Sequence, residues 1–520
     1  MAAIVSDNFR ILNAKNFVDS VQNPSNSYYI FLGLSNPSSV GFGRTNTWNE
    51  NPLEPIDNFN YFSHYKDTAI FGKKVTGSNV RRLIRRVDWV KSSRYEMYRH
   101  DYSIVNQSPI TKSSRLYDSN FYVLNSDYRL YICIDNGSSG SNPNGNTSQD
   151  EPTFTDLEPS RAGESGDGYV WKYLFTVSPS DVIKFDSTDY IVVPNDWETS
   201  TDSQIQSVRE NGNSDINENQ IKKIYIEEGG LGYFNIGEVD IIGDGTGGKA
   251  LITVDGNGTV TNAAVTSGGY GYTYGVVDLK TTVLNQPQTF AKLIPIIPPS
   301  KGHGYDIYAE LGADRVLLYA RFDDSTKDFP VDTKFSQVGI VKNPSYFDSD
   351  NLFSEEQFSS LYSIKIKTTP NPGTISVGSV IRQEVSEGIA YGYASSYDSD
   401  TGVLKYYQDR SLYLNQGVDE TDYVGISTRS KVLDFETKSP PLSPNSIVSD
   451  TFTGSIDNSF TGITTTTSGI GIVNLGVNFA NGIANPEINK KSGEIIYIDN
   501  RALISRNSRQ KEDVKIILEF

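Results

Sequence analysis

"GDGYVWKYLF", residues Gly166 to Phe175, decides how this chain is read. Gly-Asp-Gly is turn chemistry. Glycine takes a positive φ at no steric cost, and an aspartate carboxylate bonds backbone N–H groups close to it. After the turn, Tyr169, Trp171, Tyr173 and Phe175 alternate with Val170, Lys172 and Leu174. A two-residue period is that of a β-strand. The stretch therefore reads as a tight turn (Gly166, Asp167, Gly168) into a buried strand, rather than an active-site loop or a ligand cradle. The aromatic face, with Tyr169 and Trp171, is expected inward or at a subunit interface, and Lys172 outward.

The neighbourhood reads the same way. "RLYICID", "YIVVP", "NSYYIFLGLSNP", "DRVLLYARF", "FSQVGIVKNP", "SGEIIYIDN" and "VKIILEF" are short apolar runs closed by turn residues. Abundant tyrosine (32), phenylalanine (24) and glycine (44) favour strands and turns over long helices. Three short helices are expected. "LNAKNFVDSVQ" puts Ala14, Phe17, Val18 and Val21 on one helical face behind Asn13 as cap. "SNVRRLIRRVDW" spaces Val80, Leu83, Ile84 and Val87 helically behind Ser78. "SEEQFSSLYSI" is the third. Residues 137–153, "GSSGSNPNGNTSQDEPT", read as a mobile or surface-exposed loop.

A chain of 520 residues suggests two to four domains. An internal repeat marks one of them. "GGLGY" at 229–233 returns as "GGYGY" at 268–272, 39 residues on, with strand and turn patterns between. Residues 201–299 are read as a small all-β module, with "LIPIIPPSKG" as its exit linker. Residues 346–487 hold "GSVIRQEVSEGIAYGYASSYDSDTGVLKYY", a second β module, and a Ser/Thr/Pro-rich arm over 437–470.

The net charge of −17 argues against nucleic-acid binding, which needs a positive field. Cys133 is the sole cysteine, so no intrachain disulfide can form and a structural zinc is not expected. No signal peptide or membrane span is expected: the apolar runs are too short.

Few motifs promise chemistry. "GDGTGGKA" (243–250) follows the phosphate-loop pattern to Lys249, but Ala250 stands where Mg²⁺ needs a hydroxyl. A strand, not a helix, follows, so a hairpin turn is expected. "DSDTG" (398–402) and "DGNGT" (255–259) lack the glycine and glutamate spacing of a calcium loop. No Gly-x-Ser-x-Gly elbow exists. No catalytic residue, metal, cofactor or small-molecule substrate is expected. "RRLIRRVDWVKSSRYEMYRH" (81–100) reads as a basic side facing solvent or protein; Arg81, Arg82, Arg85 and Arg86 are the candidate contact surface.

The run Gly166–Trp171 with "YIVVP" at 190–194 resembles the gene-eight-type baseplate wedge proteins of T4-like contractile-tailed phages. "RRVDW" (85–89), "FSQVGIVKNP" (335–344) and the closing "SGEIIYIDNR" and "VKIILEF" are similar to further segments of that family, in the same order. The resemblance covers about 1–200, 300–345 and 488–520. It implies a mainly β fold: a discontinuous β-sandwich-like core with a few short helices. On that reading 201–299 and 346–487 are small all-β insertions. It further implies a homodimer that binds other wedge subunits, in a virion tail baseplate assembled in the host cytoplasm, without enzymatic activity. A second reading is receptor or glycan binding through aromatics in the inserted modules.

Overall fold

The computed structural model describes residues 4–520 apart from 34–48, 53, 59–61, 63–65, 67–68, 213–219, 235, 280–286, 324–333, 370, 378, 386–387, 408–445, 450, 470 and 507–509. The described residues form twenty-seven strands and four α-helices, so the chain is mainly β. The helices are α1 (Asp7–Gln22), α2 (Pro179–Phe185), α3 (Ser203–Gly212) and α4 (Ile307–Leu311).

The strands begin with β1 (Tyr28–Gly33), β2 (Ala69–Val75), β3 (Val80–Arg85), β4 (Tyr122–Leu124), β5 (Arg129–Asn136), β6 (Tyr169–Thr176) and β7 (Tyr190–Val193). Next come β8 (Ile224–Glu228), β9 (Gly237–Gly243), β10 (Thr246–Val254), β11 (Val260–Tyr270), β12 (Gly275–Val277), β13 (Lys292–Pro295), β14 (Arg315–Phe322) and β15 (Lys334–Lys342). Then follow β16 (Gln357–Ser359), β17 (Tyr362–Lys365), β18 (Val380–Val385), β19 (Gly388–Asp398), β20 (Val403–Tyr407) and β21 (Ser446–Ser449). The last are β22 (Phe452–Ser455), β23 (Gly462–Thr467), β24 (Gly471–Phe479), β25 (Ile483–Ala484), β26 (Glu494–Ser505) and β27 (Glu512–Glu519).

Two compact units divide the chain. The first is Met1–Val18, Arg81–Leu317 and Ile517–Phe520; the second is Asp19–Val80 and Leu318–Ile516. The first unit holds the sheet β4-β5-β6, the sheet β11-β10-β9-β12 and the pair β13-β8. The second holds β16-β2-β1-β15-β26, the pair β23-β24 and a seven-stranded sheet, β22-β21-β18-β19-β20-β17-β25. A four-stranded sheet has the order β27-β14-β3-β7, and β14 and β27 each pass from one unit into the other. Within the second unit, Tyr29, Phe31, Phe353 and Phe358 form one core cluster, and Ile364, Ile381, Leu404 and Ile447 another.

The structure corrects several sequence expectations. Residues 80–85 are a strand, not a helix, paired antiparallel with β7 from Arg82↔Val193 to Arg85↔Tyr190. Val80, Arg82, Leu83 and Ile84 are all buried. A strand covered on both faces loses its alternation, and its apolar spacing then imitates a helix. The helix expected at "SEEQFSSLYSI" is two strands, β16 on β2 and β17 on β20, because ladder partners override a weak local preference. The first three residues of "LIPIIPPSKG" are not linker: β13 pairs with β8, Leu293 opposite Ile226. The described part of the Ser/Thr/Pro-rich arm carries three strands, β21, β22 and β23, and its threonine run pairs with β24; 437–445, 450 and 470 lie outside the described residues. Helix α1 begins well before Asn13. The Ser6 hydroxyl accepts the Phe9 N–H at 3.4 Å, and Ile11 extends the buried face of Ala14, Val18 and Val21.

Helices α2, α3 and α4 were missed; α3 falls inside 201–299, which was read as all-β, while α2 and α4 each carry a legible start. Ser178 caps α2, with Pro179 next, and Asp306 caps α4, which ends at Gly312 with φ +70°.

The repeat has a structural counterpart. Gly230 and Gly232 (φ +64° and +86°) match Gly269 and Gly271 (φ +59° and +75°). In each copy the final tyrosine, Tyr233 or Tyr272, is buried in one cluster with Val239, Ile241, Ala250 and Ile252. The middle residues, Leu231 and Tyr270, stay exposed.

Candidate functional site

The turn at 166–168 is fixed by hydrogen bonds. Gly166 and Gly168 have φ of +68° and +88°. Between them, Asp167 Oδ1 accepts the Tyr169 N–H (2.9 Å) and Oδ2 accepts the Gln149 N–H (2.8 Å). The loop 137–153 is thereby packed against the turn rather than loose. Asn146 Nδ2 donates to the Asp167 carbonyl, and the buried Ser148 hydroxyl accepts from Trp89 Nε1 at 3.0 Å. Sequence composition could not show this, because the polar side chains that suggest mobility are the ones that make these bonds.

Strand β6 then enters the core. Trp171 is fully buried, stacked on Tyr169 at 5.2 Å and met edge-on by Tyr95 at 5.8 Å. The Tyr169 hydroxyl donates to the Asn146 carbonyl (2.8 Å) and accepts the Tyr95 N–H (2.9 Å). Asn136 Nδ2 donates to the Tyr95 carbonyl. Three aromatic rings and two backbone segments are locked together.

Lys172 does not point outward. The side chain is 1% exposed, and Nζ donates to the Leu157 carbonyl (2.7 Å) and to Asn211 Oδ1 (2.7 Å). Burial lowers its pKa to about 8. Asn211 in turn donates through Nδ2 to Glu158 Oε1 (2.8 Å), and Lys222 Nζ bonds Glu158 Oε2 (2.7 Å). Sequence alternation missed this group. Its one signal was a lysine inside an unbroken apolar run.

None of the four candidate arginines is exposed. Arg81 pairs with Asp181 at 2.9 Å. Arg82 is buried with its guanidinium 3.1 Å from the Tyr308 ring centre. Arg85 donates to the Ser119 carbonyl, and Arg86 pairs with Asp88 and Asp186.

The other motifs fall into structural places. Residues 243–250 form the β9–β10 hairpin, whose Asp244 carboxylate holds the Thr273 and Tyr274 N–H groups and sits low, at about 2. Asp398 and Asp255 each bond backbone N–H groups of their own turn. Cys133 is buried, and burial pushes its thiol up, away from reactivity. His303 and Glu310 form a buried pair, Nδ1 to Oε1 at 2.5 Å, with the Tyr98 ring edge-on. His64 lies outside the described residues. Among the described residues, no three His, Cys, Asp or Glu side chains are grouped to hold a metal, and no helix is long and apolar enough to cross a membrane.

These features define a mainly β protein whose quoted segment is a packed aromatic hairpin. The family model described as Bacteriophage T4, Gp8 matches residues 132–229, a segment that runs from within β5 through the turn, β6 and α3 to the end of β8. Baseplate wedge protein gp8 of Enterobacteria phage T4 is 26% identical over 223 residues, 37% of this chain and 60% of the relative. The match thus spans under two thirds of that relative's length. The resemblance to gp8-type wedge proteins read from the sequence stands.

Proposed function

We propose that this chain is a structural part of a phage tail baseplate wedge, located in the virion and acting by binding rather than by catalysis. The observation that carries the reading is the family match over 132–229, centred on the Gly166–Trp171 turn and its buried strand. The finer reading is a homodimer that joins neighbouring wedge subunits and rearranges with them during host attachment and contraction. The large β segments outside the resemblance are insertions on this reading. On this reading the insertions are residues 201–299 and 346–487; the family match, which runs to residue 229, overlaps the start of the first. Long insertions in surface loops cost little, since closure entropy grows only logarithmically with length.

The test is mass in solution by light scattering, for the chain alone and mixed with the other wedge proteins of the same virus. A dimer that enters a larger complex of fixed stoichiometry supports the proposal. A monomer that joins nothing overturns it. Arg81, Arg82, Arg85 and Arg86 remain the proposed contact surface. Each is already engaged within the chain, so charge reversal there must be scored for folding as well as for assembly.

One observation favours glycan binding as a second reading. Tyr270 and Tyr274 of the repeat module are 46% and 61% exposed, and exposed rings can stack on sugars. Binding of the full chain to a glycan array, lost in the Tyr270→Ala/Tyr274→Ala double variant, is the expected result. A blank array removes this reading.

A further inference from the structure

The Lys172 cluster has a chemistry that its packing role does not need. A buried amine, a carboxamide and a carboxylate follow one another at hydrogen-bond distance: Lys172 Nζ to Asn211 Oδ1 at 2.7 Å, then Asn211 Nδ2 to Glu158 Oε1 at 2.8 Å. The three come from separate parts of the chain. Lys172 lies on β6, Asn211 at the end of α3, and Glu158 on the loop before β6. The fold therefore brings an amine nucleophile, an acyl group and a proton carrier to one place.

We propose that Lys172 and Asn211 join through an intramolecular isopeptide bond, with Glu158 carrying the proton. The Lys172 nitrogen attacks Asn211 Cγ and forms a new C–N bond. Its proton passes to the Glu158 carboxylate. Glu158 gives that proton to Nδ2, to which Oε1 is already hydrogen-bonded, and the Cγ–Nδ2 bond breaks with its electron pair leaving on nitrogen. Ammonia departs, and an amide links the two side chains. Nothing is oxidised or reduced, and no co-reactant is consumed.

Three observations support the arrangement. The amine must be neutral to attack, and burial favours that form by lowering the Lys172 pKa. The Leu157 carbonyl and Asn211 Oδ1 both hold Nζ at 2.7 Å, so the neutral amine needs only to turn out of the Oδ1 hydrogen bond to bring its lone pair onto Cγ. Glu158 is half exposed, with 52% of its side chain accessible, so the ammonia is released at the solvent edge of the cluster. Lys222, bonded to the other Glu158 oxygen, fixes the carboxylate in place.

The experiment is the intact mass of the full-length purified chain, followed by tandem mass spectrometry of its peptides. The expected result is a mass lower by about 17 Da, the loss of ammonia, and a branched peptide joining Lys172 to Asn211. Lys172→Met and Glu158→Gln chains are expected at full mass. An unmodified wild-type mass with linear peptides at both positions overturns the proposal. So does a 17 Da loss that persists in Lys172→Met, because Asn211 precedes Gly212 and can lose ammonia by closing on its own backbone. A branched peptide in Glu158→Gln overturns the role of the carboxylate.

Discussion

At the scale of the residue, burial decides what a side chain contributes. Trp171→Ala is expected to cost about 3–5 kcal/mol, because it empties a site closed by Tyr95 and Tyr169. Trp171→Phe should cost less; Nε1 has no hydrogen-bond partner among the described residues, so only volume is lost. Urea unfolding of both variants checks the order, and an unchanged midpoint for Trp171→Ala would show the site is not closed. The two glycines of the turn should separate as well. A Cβ at Gly166 meets nothing within 4 Å, while one at Gly168 comes to 3.1 Å from Asn146 Nδ2 and 3.2 Å from Gly137 Cα. Both variants bear the strain of a positive φ, so Gly166→Ala is expected to lose about 1 kcal/mol and Gly168→Ala about 2–3. Equal losses would mean that the neighbours yield. His100 gives a pH test. Burial, the largest cause, holds its pKa below 6.5, and Nδ1 must stay unprotonated to accept the Ile297 N–H at 3.1 Å. As pH falls below 6.5 the unfolded chain takes up a proton that folded His100 refuses. Stability therefore drops from pH 6.5 downward through the folded pKa. His100→Gln should flatten that limb in a pH series of unfolding curves; an unaltered slope would assign it to other groups. Of these residues, the turn chemistry and the aromatic strand were legible in sequence. The inward lysine was not, because alternation predicts a side only when one face of the strand is wet.

At the scale of the element, local pattern succeeded where one face was exposed and failed where none was. The repeat was legible because its glycines are needed for positive φ in both copies, and that need leaves a sequence trace. Strand β3 was not, since both of its faces are covered. Partner strands decided β13, β16 and β17, and a partner far along the chain leaves no local signal. The repeat module offers a test of which tyrosines hold it. The Tyr272 hydroxyl accepts the Gly248 N–H (3.1 Å) and donates to the Ile241 carbonyl (2.8 Å). Removing it strands two buried backbone groups, so Tyr272→Phe is expected to destabilise by about 1–3 kcal/mol. Tyr270→Phe, changing an exposed ring at the equivalent of Leu231, is expected to be neutral. Thermal unfolding of the two variants side by side checks this. If Tyr270→Phe cost as much, the exposed tyrosine would hold a contact that its accessibility does not suggest.

At the scale of the whole molecule, charge constrains how copies can meet. The net charge is −17, so two copies repel beyond contact range. Some of the basic residues that would relieve this are engaged within the chain: Arg81, Arg86, Arg99 and Arg321 each pair with an aspartate. On that basis the proposed homodimer is held by apolar and hydrogen-bonding contacts against a long-range repulsion. Screening reaches about 30 Å at 0.01 M salt and about 8 Å at 0.15 M. The proposed dimer is accordingly expected to tighten as salt rises between those two concentrations, read as a falling dissociation constant by light scattering. Association with a basic neighbouring subunit should move the opposite way and weaken over the same range. A dimer that instead loosens with salt would require complementary charged patches across its interface. That result would return attention to the engaged arginines of β3 as groups that exchange their internal partners for external ones on assembly.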